Sequence, residues 1–365
     1  MKKLLCIVNT MNSGGAETFL MKVYRKLDRT KYQMDFCINV KEECFYNKEI
    51  RELGGKIHII PSKSENVKEF KKQLTEIIKR ENYKYVLRIT SNALGFMDLM
   101  IAKKAGAEIC SARSSNSSDG TSVAIKLIHY LGKLMYGHYV DVKFAPSDLA
   151  AEYTFGKKAY KQGKATILHN AVDLSVYKYY PEYRERIREE LGIADRIVFG
   201  HVGRFMEQKN HMFLLDVFSE IKKQNEKAVL LLVGGNGNLE GKVRERVAEL
   251  GLGESVIFTG IRSDVPQIMS AMDAFVMPSF FEGMPNTVIE AQATGLPCVI
   301  ADTITREANI TGLVEYLPLG DAQIWAKKAL SLIREERADT RQCFIDEKYD
   351  IESTVENFVK LVFGE

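Results

Sequence analysis

Two sets of short apolar, β-branched runs alternate with stretches of helical period, and that alternation limits what this chain can fold into. In the first half the strand-like runs are 4–9, 34–40, 56–60, 85–89, 107–111, 142–145 and 165–168, with helical patterns at 16–27, 67–80 and 95–104. The second half repeats the style at 197–202, 229–233, 256–259, 274–277 and 297–300. Strands alternating with helices belong in parallel sheets covered on both faces. Two such sets predict an α/β protein of two doubly wound, Rossmann-like domains. With 365 residues the chain can supply two domains of ordinary size. The boundary is expected between Asn170 and Arg196, giving domains 1–173 and 174–349, because 173–182 is rich in Tyr and lacks a clear period. The tail, 351–363, has amphipathic helical spacing at Val355, Phe358, Val359, Leu361 and Val362.

Composition removes several function classes. Hydrophobic content is 45% and charged content 27%, as in an ordinary globular enzyme. No apolar run reaches membrane-spanning length, and the five-residue run before Asn9 is too short for a signal peptide. Cys6, Cys37, Cys44, Cys110, Cys298 and Cys343 form no C-x-x-C pair, which reads as reduced thiols in a cytoplasmic protein. The six histidines show no metal spacing, so neither metal nor cofactor is expected. Residues 1–173 hold 29 Lys+Arg against 18 Asp+Glu, and the remainder 22 against 30. The basic half can face an anionic membrane or a phosphate-bearing acceptor, or it is simply a solvated surface. Nucleic acid is not an expected partner, because the charge is diffuse and no binding motif is present.

Ligands of doubly wound sheets bind at the carboxyl ends of strands. Gly14-Gly15, Arg204, Gly234-Gly235 and Glu282 each follow a strand-like run. The most informative stretch is Phe281-Glu282-Gly283-Met284-Pro285-Asn286-Thr287-Val288-Ile289-Glu290. Asn286 reads as an N-cap, which leaves Glu282 on the loop and puts Glu290 about one turn inside a helix. Free amides at that helix start face an anion, one carboxylate can hold ribose hydroxyls, and the other can face a sugar. Earlier, Gly203-Arg204 and Lys209 place two cations at a strand-to-helix turn, a clamp for a diphosphate. Gly234-Gly235-Asn236-Gly237 lacks the Walker lysine and reads as a turn beside a nucleotide, with 259–264, Arg262 included, as a base-binding wall.

Together these motifs resemble the retaining glycosyltransferases of family 4, with the GT-B fold, and most of all the branch that builds capsular and exopolysaccharides. The resemblance spans nearly the whole chain. It includes Asn12-Ser13-Gly14-Gly15-Ala16-Glu17, Leu168-His169-Asn170-Ala171-Val172-Asp173, Leu232-Val233-Gly234-Gly235, Phe258-Thr259-Gly260 and Glu290-Ala291-Gln292-Ala293-Thr294-Gly295-Leu296-Pro297. It implies two domains facing a cleft, with the final helix, about 350–365, packed back on the first. It also implies a nucleotide-sugar donor, UDP by preference, and no metal. By resemblance Glu282, Arg204 and Lys209 serve catalysis. Glu290, Gly283, Met284, Pro285, Asn286, Gly203, Gly234 and Arg262 bind the donor, and Gly14 and Gly15 meet phosphate or acceptor.

One departure stands out. Many relatives carry a histidine where this chain has Ser115, within Arg113-Ser114-Ser115-Asn116. Serine cannot carry the charge, so Arg113 or Asn116 substitutes, or activity is altered. His129 and His138 lie in a helical stretch and read as surface or packing residues. Within 121–139, Ile125, Leu127, Ile128, Leu131, Leu134 and Met135 form an apolar stripe that either docks on anionic lipid or belongs to the core. The expected activity is transfer of a sugar to a growing, lipid-linked glycan by a cytoplasmic enzyme in peripheral contact with the membrane. A nucleotide-sugar epimerase and a non-catalytic partner subunit are the competing readings.

Overall fold

The computed structural model describes residues 1–12, 14–115, 123–235 and 237–365, apart from the side chains of 123–125. The chain divides into two units, Met1–Ala171 with Lys348–Glu365, and Val172–Glu347.

Among the described residues, unit 1 carries a seven-stranded parallel sheet. Its strands are β1 (Lys2–Ile7), β2 (Tyr32–Ile38), β3 (Ile57–Ile59), β4 (Tyr85–Thr90), β5 (Ile109–Ser114), β6 (Val142–Ala145) and β7 (Thr166–Ile167). Their order is β3-β2-β1-β4-β5-β6-β7. Alternation along β1 shows why the sheet is buried on both sides. Leu4 and Cys6 join one apolar cluster, and Leu5 and Ile7 join the other. β5 lies further along than its apolar run indicates, because it extends to Ser114, with Arg113 opposite Ile89 of β4 and Phe144 of β6.

Unit 2 carries β8 (Ile197–Val202), β9 (Ala228–Val233), β10 (Val256–Gly260), β11 (Ala274–Met277), β12 (Cys298–Ala301) and β13 (Val314–Leu317), in the order β10-β9-β8-β11-β12-β13. In each sheet the order reverses beside the first strand. β1 lies between β2 and β4, and β8 between β9 and β11. Such a reversal opens a crevice at the carboxyl ends of the two flanking strands. The Pro181–Glu190 helix, unread in the sequence, is tied to this sheet by charge. Arg184 and Arg188 reach the two oxygens of buried Asp273 at 2.6 and 2.7 Å, and the Val198 amide donates to the same carboxylate at 2.7 Å.

The Ile351–Phe363 helix belongs to unit 1. The Asp350 side chain accepts from the Ser353 amide at 2.8 Å and caps it. Phe358, fully buried, meets Phe19 and Phe144 edge-on, with ring centroids 6.2 and 6.3 Å away. Glu365 pairs with Lys2 at 2.7 Å. Removing a buried phenyl ring typically costs about 3–5 kcal/mol. Phe358→Ala is therefore expected to lower the urea midpoint of unit 1, and an unchanged midpoint would show that the tail does not support this core.

Candidate active site

The loops after β8 and β11 meet at the reversal in unit 2. Lys209 Nζ donates to Glu282 Oε1 at 2.7 Å, with both side chains largely buried. Further hydrogen bonds hold the loops in register. Gln208 Nε2 donates to Phe281 O at 2.8 Å, the Phe280 amide donates to Gln208 O at 2.9 Å, and Asn210 Nδ2 donates to Pro278 O at 3.1 Å. Asn210 adopts the left-handed conformation, φ 53°, just before the His211–Gln224 helix. Asparagine tolerates that region better than most residues. Lys209 itself closes a 3-10 turn, Glu207–Lys209, so the clamp sits on a loop before the helix rather than on its first turn. Arg204 is exposed on the same loop.

On this edge position 234 requires glycine and position 203 favours it. Gly234 has φ 139°, and a Cβ there would lie 2.1 Å from Gly203 O. A Cβ on Gly203 would sit 3.1 Å from His201 Nε2 and 3.2 Å from Lys209 Cε. Gly234 lets the two backbones approach, and Gly203 keeps its own backbone thin where the lysine stem crosses it.

Two imidazoles lie beneath the lysine. His201 is fully buried in β8, and its Nδ1 donates to Val276 O of β11 at 2.9 Å. That bond sets the tautomer and leaves Nε2 as an acceptor, without a partner among the described residues. His211 stands edge-on to it, 4.9 Å between centroids, and both its ring nitrogens are likewise unpartnered. Burial, His211 and the charge of Lys209 hold the His201 pKa well below its ordinary value. Burial and Lys209 push that of His211 down to about 4. Both rings are neutral at neutral pH, so they do not repel the ammonium above them.

The second carboxylate of the motif lies in the Asn286–Ala293 helix, and Glu290 is buried there. Asn286 is not the N-cap. Pro285 occupies that position with no side-chain cap, and Asn286 begins the helix. Gly283 is exposed, Met284 half-buried and Pro285 buried at this helix entrance. Arg262 is already engaged. Asp264 at 2.7 Å and Glu190 at 2.8 Å hold its guanidinium and raise its pKa, so a ligand phosphate has to compete with two carboxylates. The sequence reading drew no role from His201, His211, Gln208 or Asn210. A histidine inside an otherwise apolar strand, with another ten residues on, is the signal that marks the first two.

In unit 1, Gly14 and Gly15 begin the Gly15–Lys26 helix after β1. Arg113 is buried at the end of β5, and the exposed Ser115 donates its amide to Thr90 O at 2.9 Å. Asn116, Ser13 and Asn236 lie outside the described residues. The Val123–Tyr136 helix packs inward through Gly132 and His129. His129 Nδ1 accepts from the Ala93 amide at 3.0 Å, which makes it a packing residue. Leu127, Ile128, Leu131, Leu134 and Met135 are instead exposed, Leu134 by 69%, so these stripe residues are not core. Among the described residues no three His, Cys, Asp or Glu side chains converge as metal ligands, and no helix is long and apolar enough to cross a membrane.

The same architecture recurs in solved structures. HepE of Anabaena, crystallised with UDP and glucose, matches at a TM-score of 0.78 with 17% identity, each chain fully covered. WaaG, a glycosyltransferase of lipopolysaccharide biosynthesis, matches at 0.67 with 16% identity, again with both chains fully covered. The fold is that of the GT-B glycosyltransferases. Residues 196–335 match the family model described as glycosyl transferases group 1. The chain is 32% identical to EpsF of Bacillus subtilis (strain 168), named as a candidate glycosyltransferase, over 97% of this chain and 94% of that protein. An Escherichia coli galactosyltransferase acting on a GlcNAc-diphosphoundecaprenol is 33% identical over 38% of this chain and 37% of its own length. This chain belongs to the group 1 glycosyltransferases, of the family 4 type.

The buried imidazoles also set a pH dependence. His211 has a folded pKa of about 4 against an ordinary 6.5, so between those values the unfolded chain binds the proton and the folded chain does not. Stability is therefore expected to fall as pH drops from about 6.5 to about 4, and His211→Leu should flatten that fall. Equal pH profiles of the melting temperature in both proteins would contradict a buried neutral imidazole.

Proposed function

We propose that this glycosyltransferase moves a hexose from a UDP-sugar to a growing, lipid-linked surface polysaccharide, with retention of configuration and without a metal. The observation that carries the donor site is the Lys209–Glu282 pair at the strand reversal of unit 2. Arg204 on the same loop and Glu290 in the helix that follows complete the set. UDP and glucose bound to HepE, a fold match, support the donor. The diphosphoundecaprenol in the name of the E. coli relative supports the acceptor class.

In this reading the donor diphosphate draws the Lys209 ammonium away from Glu282, and Arg204 joins it. As the bond from the anomeric carbon to the phosphate oxygen breaks, negative charge grows on the leaving UDP. The two fixed cations stabilise it there, a task that a divalent ion performs in other transferases. Glu290 accepts from the ribose hydroxyls, and the freed Glu282 accepts from a sugar hydroxyl. The acceptor hydroxyl attacks from the face that UDP leaves, and its proton passes to the departing phosphate oxygen. The enzyme works in the cytoplasm. The exposed leucines of the Val123–Tyr136 helix, in the basic half of the chain, give it peripheral contact with an anionic membrane.

UDP at about 100 times its dissociation constant is expected to raise the melting temperature by a few degrees. Lys209→Ala should weaken UDP roughly tenfold to a hundredfold, the worth of one charge-assisted hydrogen bond. Equal affinity in the variant would show that the diphosphate binds elsewhere. Product analysis separates transfer from epimerisation, since only transfer consumes an acceptor. Binding to anionic vesicles should weaken at high salt and disappear in Leu131→Glu with Leu134→Glu. Binding that ignores both changes would remove the membrane contact.

A further inference from the structure

Arg113 is a buried cation for which the donor chemistry of unit 2 has no use. It lies at the carboxyl end of β5, on the sheet edge that also carries Gly14 and Gly15, and only 1% of it is exposed. Burying a guanidinium is costly unless an anion or a full set of hydrogen bonds replaces its water. Other arginines withdrawn from solvent meet that condition. Arg88 lies 3.0 Å from Asp98, and Arg188 lies 2.7 Å from Asp273. Arg337, half-buried, donates to the carbonyls of Thr294, Met269 and Met272.

Among the described residues Arg113 has no such company. Its Nη2 donates to the neutral amide oxygen of Asn170 at 2.5 Å, and its Nε has no partner among the described residues. The Phe19 ring lies 3.8 Å beneath Cζ. A ring face offsets part of a desolvated charge and neutralises none of it. Glu17, the acid in the first turn of the neighbouring helix, does not supply the anion. Its carboxylate turns back over Gly14, where an added Cβ would lie 2.4 Å from Oε2. With no carboxylate among the described residues to oppose burial, the Arg113 pKa falls to about 9, still high enough to keep the charge at neutral pH.

We propose that Arg113 is a phosphate-binding residue of unit 1 that takes a phosphate group of a substrate. The inference rests on the transferase reading, in which two substrates bring phosphates: the nucleotide-sugar donor and the lipid-linked acceptor. A phosphate supplies what the guanidinium lacks among the described residues, a negative charge and an acceptor for Nε.

Arg113→Met keeps an apolar stem over Phe19 and removes the charge. UDP and geranyl diphosphate, a short isoprenyl diphosphate, serve as probes in calorimetry on the full chain. The variant is expected to bind at least one of them about tenfold more weakly or worse. Its melting temperature without ligand should stay the same or rise, because an uncompensated charge has left the interior. Weakening confined to geranyl diphosphate assigns the phosphate to the acceptor, and weakening confined to UDP assigns it to the donor. If the variant melts lower, Arg113→Lys must restore the lost affinity, and failure to do so makes the role structural and overturns the proposal. UDP affinity equal to the wild type, with no Arg113-dependent binding of geranyl diphosphate, overturns it as well. UDP binding that Lys209→Ala weakens and Arg113→Met does not leaves the transferase reading intact in that case.

Discussion

The bond between Lys209 and Glu282 depends on one topological fact. The two residues are 73 apart in sequence and meet because β8 and β11 are neighbours where the strand order of unit 2 reverses. Everything else at the edge keeps them there. The amide of Phe280 and the side chains of Gln208 and Asn210 tie the two loops together. Gly234 lets two backbones pass at a distance no side chain would permit, and Gly203 leaves room for the lysine stem. The neutral imidazoles of His201 and His211 fill the floor with polar groups that carry no charge.

Buried polar groups do two kinds of work in this protein. Asp273, with Arg184 and Arg188, binds a helix to the sheet through a network whose members compensate one another. Such a network is costly to break and serves the fold. His201, His211 and Arg113 lie at the carboxyl edges of the sheets and have unfilled hydrogen-bonding capacity among the described residues. Partly satisfied groups of this kind tend to gather at functional sites, where a ligand completes them.

Much of the fold was legible because parallel strands buried on two faces write themselves as apolar runs. The runs at 142–145, 197–202 and 274–277 coincide with β6, β8 and β11. β13 was missed because Val314–Leu317 is short and only partly buried, with Glu315 in its middle. The Pro181–Glu190 helix was missed because it is mostly charged, with Ile187 as its buried apolar anchor. The site was legible as separate motifs. Their meeting was not, since an ion pair across a strand reversal has no signature in local spacing. The Asn286 cap failed for a local reason: Pro285 takes the N-cap position and Asn286 becomes the first helical residue.

A crystal structure of the full chain with UDP would show which groups hold the diphosphate. The diphosphate is expected within hydrogen-bonding distance of Lys209 and Arg204, the ribose hydroxyls on Glu290, and Glu282 parted from the lysine. UDP bound away from the edge between β8 and β11, or bound there with the Lys209–Glu282 pair intact and no contact to either cation, would contradict it.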